Sequence, residues 1–198
     1  MDSPVVDKIQ RIYAALGQTV TGDLATVPAL IEEKADGLAV WQDFTGGLNQ
    51  AQLSNLLHSL IHNIVNLRDH ARKECKAQGI DPSSTDNVSK EEAFLVLTDL
   101  SNNDKHGYPP RHGGRTGKSP QILKVDRILR MTTSSEAGSA STLVFGSDGF
   151  ELSGKGDARV IITADVLKAD GVKMGDAHEI CVTALDLWER RLRELGLI

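Results

Sequence analysis

The chain has 198 residues, 40% hydrophobic and 25% charged, enough for one domain whose core needs no disulfide or metal to hold it. Its net charge of −5 excludes the uniformly basic composition of a general nucleic-acid binder, so such a role would have to come from a local patch. No apolar run approaches the ~18 residues of a membrane span, and the opening MDSPVVDKIQ has no apolar signal-peptide core, so a cytoplasmic location and no membrane partner are expected.

In chain order, residues 4–17 place Val5, Ile9, Ile12 and Leu16 on one helical stripe, with Ser3 as N-cap and Pro4 at the first helical position. Residues 23–45 are expected to be helical too, ending at Gly46 and Gly47. The longest predicted element is a helix over 49–78, closed by Gly79, with Leu53, Leu56, Leu57, Leu60, Ile61, Ile64 and Leu67 on its apolar face. Ser89 followed by Glu92 has capping-box spacing and predicts a further helix over 90–104, antiparallel to the first and ended by Gly107. Beyond residue 120 the pattern turns β-branched and alternating, in QILKVDRILRM, STLVFGSDGF and ARVIITA, with TTSSEAGSA as a flexible hairpin tip and SDG as a turn. An amphipathic helix from about 176 to 195 closes the chain, with Ile180, Ala184, Leu187, Trp188 and Leu192 facing inward. The expected fold class is α+β in one domain over 1–198. It comprises a helical body (1–106), a basic Gly/Pro loop (107–120), an antiparallel β segment of three or four strands (121–165) and a closing helix (174–196). Cys75 and Cys181 stand in no metal or redox spacing and read as reduced thiols.

RHGGRTGKSP, at 111–120, resembles a phosphate-binding loop at first sight. The pattern G-x-x-x-x-G-K-[ST] would end on Gly117, Lys118 and Ser119, but its first glycine falls on His112. The segment also runs into Pro120 and a strand, so no helix N-terminus is available for an anion. It reads instead as a flexible basic loop. Between 105 and 130 stand Lys105, Arg111, Arg115, Lys118, Lys124, Arg127 and Arg130, opposed only by Asp126, a local charge of +6. Such a segment is either a solvated surface or a place for phosphate groups, with Arg111, Arg115 and Lys118 as its candidates.

The chemistry-bearing candidates lie just before it, in DLSNNDKHG. Asn102 and His106 share a helix face at i, i+4, His106 suits proton transfer near neutral pH, and Lys105 offers positive charge. The same Lys and His equally fit the C-terminal end of a helix dipole. Arg68 falls inside the apolar arc of its helix and needs a partner, for which Asp99 or a neighbouring helix C-terminus is the candidate. His58 and His62 form H-x-x-x-H, but no Glu follows His58 and no third ligand is evident, so no metal and no cofactor are expected.

LRDHARKE followed about 30 residues later by DLSNNDKHG resembles a family of uncharacterised bacterial proteins with an L-R-D helix and a D-[LI]-x-N-x-x-K-H motif, then a β-rich segment and a closing helix with a Trp. Asp99, Asn102, Lys105, His106 and Trp188 carry that match. More distantly, Asn102 and His106 on the second helix of an antiparallel pair are similar to the HEPN superfamily, with Ser101 where its signature has Arg. That resemblance implies a helical-hairpin body and a homodimer, with RNA or a protein as partner. In an active member His106 would be the general acid/base, Asn102 would orient the phosphate, and Lys105, with Arg68 or the loop cations, would hold it. Three functions are carried forward. The first is a non-enzymatic interaction or scaffold protein related to HEPN-like domains. The second is a metal-independent RNase or RNA-binding protein of a defence or toxin–antitoxin system. The third is an enzyme acting on a small phosphorylated ligand.

Overall fold

A computed structural model describes residues 4–19, 29–34, 37–42, 44, 47–133, 141–146, 149–154 and 156–198. It is an α+β arrangement in which a helical body lies against an antiparallel sheet and a C-terminal helix returns to the body.

Helix α1 (Pro4–Leu16) buries Val5, Ile9, Ile12 and Leu16, the stripe read from the sequence; Ser3 lies outside the described residues. Among the described residues, the helix expected over 23–45 is not formed. Its described part is a hairpin of β2 (Ala29–Lys34) and β3 (Gly37–Gln42), and the rest lies outside the described residues. The run LIEE…LAVW carries β-branched and aromatic residues that suit a pleated strand, and Gly37 sits where the hairpin reverses.

The helix expected over 49–78 is two helices, α2 (Gln50–Val65) and α3 (Leu67–Ala77), joined at Asn66. Asn49 caps α2 through a reciprocal box with Gln52, at 3.0 and 2.9 Å. Asn66 keeps helical angles and donates its N–H to the His62 carbonyl, so the chain passes from α2 to α3 in helical conformation. At the far end the Gly79 and Ile80 N–H groups bond back to Lys76 and Cys75, a Schellman closure that uses the positive φ of Gly79.

Helix α4 (Glu92–His106) begins after a short 3₁₀ turn over Val88–Lys90, with Glu91 at its N-cap and no side-chain cap. The capping box expected from Ser89 is therefore absent: Ser89 lies in the turn, and its buried hydroxyl has no protein partner. Gly107, at φ 88°, ends α4 as expected. α2 and α4 pack antiparallel, for His58 meets Asp104 while His62 meets Ser101, four residues onward on one helix against three back on the other.

The sheet centres on β7 (Gly156–Leu167). β4 (Gln121–Thr133) pairs along one edge of it, from Gln121 opposite Leu167 to Thr133 opposite Gly156, with an irregularity between Ile122 and Val125. Its other edge is shared by β1 (Gly17–Thr19) and β8 (Lys173–Asp176). β5 (Ser141–Gly146) and β6 (Gly149–Gly154), which lie between the two long strands in the chain, pair with each other; residues 147 and 148 of the expected SDG turn lie outside the described residues. Residues 132 and 133 of the expected hairpin tip continue β4; 134–140 lie outside the described residues.

Helix α5 (Ala177–Glu194) is capped by Asp176, which accepts from the His178 and Glu179 N–H groups and from the Thr163 hydroxyl. Its buried face carries Cys181, Ala184, Leu185, Trp188 and Leu192, with Ile180 and Leu187 only partly covered. Trp188 is fully buried and meets Phe94 of α4 edge to face, ring centroids 5.7 Å apart. Cys75 and Cys181 are free and buried, and burial, with the nearby Asp176 charge, pushes the Cys181 thiol up to about 12. No helix among the described residues is long and apolar enough to cross a membrane.

Candidate functional site

The site is built outward from Asp99. This carboxylate, on the inner side of α4, is 1% exposed, and burial of an ion is costly unless polar groups replace its water. The expected partner, Arg68, does not reach it. Asp99 accepts instead from the Arg115 N–H at 2.7 Å and from the Thr116 N–H and hydroxyl, both at 2.8 Å. Two amides converge on one carboxylate only where the chain curls around it. Gly114 permits that curl at φ 75°, and a Cβ there would stand 2.6 Å from the carboxyl carbon. Arg68 points elsewhere, toward Asp86 at 3.7 Å, which Arg72 holds more closely at 2.7 Å.

The basic loop, expected to be flexible, is therefore folded onto the helix. Its ends meet through the Ser119 N–H donating to the Gly113 carbonyl at 2.9 Å, and Asn103 donates to the Pro120 carbonyl at 2.8 Å. After Pro120 the chain enters β4, so this loop does not open a helix.

Between the end of α4 and the loop lies an open cleft of about 600 Å³. Asn102, His106, Arg111 and Arg115 line it, over a floor that includes Asp99 and Gly114. The structure thus brings together five of the expected site residues, with Asp99 beneath one helical turn of α4 that faces two loop arginines. Among the described residues, neither guanidinium forms a salt bridge and His106 has no hydrogen-bond partner. Lys118, the third expected phosphate contact, does not line the cleft but pairs with Glu92, whose carboxyl that bond holds below its ordinary range. Lys105 is exposed on α4 and does not line the cleft.

A second constellation went unread in the sequence. His62 of α2 bridges to α4, with Nδ1 2.6 Å from the Ser101 hydroxyl and Nε2 2.8 Å from an Asp104 oxygen. With the carboxylate accepting from Nε2–H, a neutral ring takes the Ser101 proton donor at Nδ1. These are the residue types of a hydrolase triad, but Ser101 is 1% exposed and no substrate could reach its oxygen. The arrangement is a clamp between helices. Ser101 here serves to tie α4 to the His62 ring. The spacing of His58 and His62 on one helix, against Ser101 and Asp104 at i, i+3 on another, was the available signal. His62 holds the Asp104 carboxyl below the usual range; burial holds His58 below its ordinary value, outweighing the opposing pull of Asp104 at 3.8 Å. Among the described residues, no three His, Cys, Asp or Glu side chains gather to hold a metal ion.

No family model, curated protein or solved structure matches this chain.

Proposed function

We propose that this is a non-enzymatic interaction protein whose cleft grips the phosphate groups of single-stranded RNA. One observation carries the reading. Asp99 ties the loop amides to α4 and so presents Arg111 and Arg115, without carboxylate partners, across an open cleft from Asn102 and His106. Guanidinium forks match phosphate oxygens in geometry and charge, and an amide and an imidazole opposite them supply further donors. An acidic chain with one prepared basic cleft binds phosphate locally rather than over its whole surface.

Binding is preferred to cutting because no hydrogen bond orients the His106 ring among the described residues. The Asn102–His106 pair, both on the cleft and facing two arginines, supports a second reading as a metal-independent RNase. Fluorescence anisotropy with a short single-stranded RNA, repeated over a salt series, tests the first. For two or three phosphates held, log K should fall against log salt with a slope of about −1.4 to −2. Arg111→Glu and Arg115→Glu should abolish binding while the RNA stays intact over hours. Unchanged binding in both variants would refute the assignment of the cleft. Cleavage that vanishes in a folded His106→Ala protein would replace it with the RNase reading.

A further inference from the structure

Phe94, Thr98, Asn102 and His106 are spaced by four on α4 and so form one line along the helix. Asn102 and His106 border the open cleft; Phe94 and Thr98 border a second, smaller cavity of about 120 Å³. Arg115 lines both. The two spaces are therefore successive stretches of one helix face, divided at a shared arginine.

The smaller cavity is also lined by Arg68 and Ser89. The Arg68 Nε and the Ser89 hydroxyl are both buried, and neither has a hydrogen-bond partner in the protein. A buried donor left unmatched is costly, and here two such donors belong to residues lining a cavity that Arg115 also lines. Asp86 takes only a distant share of Arg68, at 3.7 Å through Nη2, and leaves Nε unmet. Asp69, at the lining, opposes an anion, but it is exposed to solvent, where its field is screened. The Thr98 hydroxyl donates to the Phe94 carbonyl and forms wall rather than donor. At about 120 Å³ the cavity has room for a tetrahedral oxyanion.

We infer that this cavity takes a terminal phosphate of the strand held in the adjoining cleft, so that the protein reads phosphorylated RNA ends. Arg68 Nε–H, the Ser89 hydroxyl and Arg115 are its donors. A monoester carries more charge and more free oxygens than an internal diester, which suits two guanidiniums in a pocket of this size. The inference rests on the RNA-binding reading for its ligand, but the pocket is tested by itself with inorganic phosphate.

Two experiments on the native chain decide it. In the first, inorganic phosphate is titrated while the Arg68 Nε–H and His106 ring signals are followed by NMR. A saturable shift at Arg68 supports the pocket. Movement of His106 alone leaves the cleft as the phosphate site and overturns this inference; no movement at either overturns it together with the reading it rests on. In the second, a six-nucleotide RNA is compared with either end phosphorylated, with both ends hydroxyl, and with adenosine monophosphate. One end-phosphorylated strand should bind about tenfold tighter than the hydroxyl-ended strand, and tighter than the mononucleotide. That ratio should fall toward one in Ser89→Ala and in Arg68→Lys, which keeps the charge and removes the fork. Equal affinity for phosphorylated and hydroxyl ends, or for the mononucleotide and the phosphorylated strand, overturns end recognition.

Discussion

Among the described residues Asp99 meets no cation, and its three accepted hydrogen bonds are what give the basic loop a shape. Asp99→Ala should cost on the order of 2–4 kcal/mol, since charge-assisted bonds are lost and two amides are left to find water. Gly114→Ala tests the same contact from the other side, by placing a methyl against the carboxylate on a backbone at φ 75°. It should lose about 1–3 kcal/mol in urea unfolding and speed amide exchange at Arg115 and Thr116. Native stability and native exchange in Gly114→Ala would contradict the packing described. His58 offers a pH test. Burial lowers its folded-state pKa below the ordinary 6.5, so the unfolded chain binds more protons between the two values. Stability should be full above about pH 6.5 and fall as pH drops toward the lowered folded value. The Asp104 carboxyl is also depressed, so it adds a second loss below about pH 4, the ordinary carboxylate range. Melting temperatures from pH 8 to pH 3 should show both steps, and His58→Gln should flatten the upper one alone.

Between elements, the His62 bridge joins α2 to α4 where the sequence shows only two histidines on a helix. A double-mutant cycle of His62→Ala and Ser101→Ala should return a coupling of about 1–2 kcal/mol, within the usual range for contacting pairs. Additivity of the two would mean that the bridge contributes nothing. A comparable tie runs from α5 to the turn after α3, where Arg191 forks onto the Ser84 carbonyl at 2.8 and 2.6 Å. Helices α1, α4 and α5 and strands β4 to β7 were legible because apolar periodicity and terminating glycines are local signals, whereas β8 falls outside the expected β segment and takes the first residues assigned to the closing helix. The hairpin β2–β3 was not, because a short apolar run such as ALIEEK suits either period. The division at Asn66 was hidden because Asn66 keeps helical angles and the apolar face runs on through Leu67. At the site, Asn102, His106, Arg111 and Arg115 were legible as residue types. Asp99 was assigned the wrong partner because its true donors are main-chain amides, which no side-chain pattern reports. The cavity beside Ser89 was illegible for a similar reason: the serine suited a cap, and only the fold withholds that use from it.

For the molecule as a whole, Trp188 joins the body to the closing helix through its edge-on contact with Phe94. Trp188→Ala should remove about 3–5 kcal/mol, the scale of large core truncations, measured as a shift in the urea midpoint at an unchanged slope. A loss below 1 kcal/mol would mean that α5 is peripheral. The pairing of Gly17–Thr19 with Arg159–Ile161 has a consequence during synthesis. These segments lie about 140 positions apart, and a ribosome adds about 5–20 residues per second, so β1 waits roughly 7–30 s for its partner to be made. The nascent chain must carry an unpaired strand through that interval, immediately after an amphipathic helix. Ribosome-bound chains halted before residue 156 should therefore recruit ribosome-associated chaperones through their first twenty residues, and chains released beyond the last strand should not.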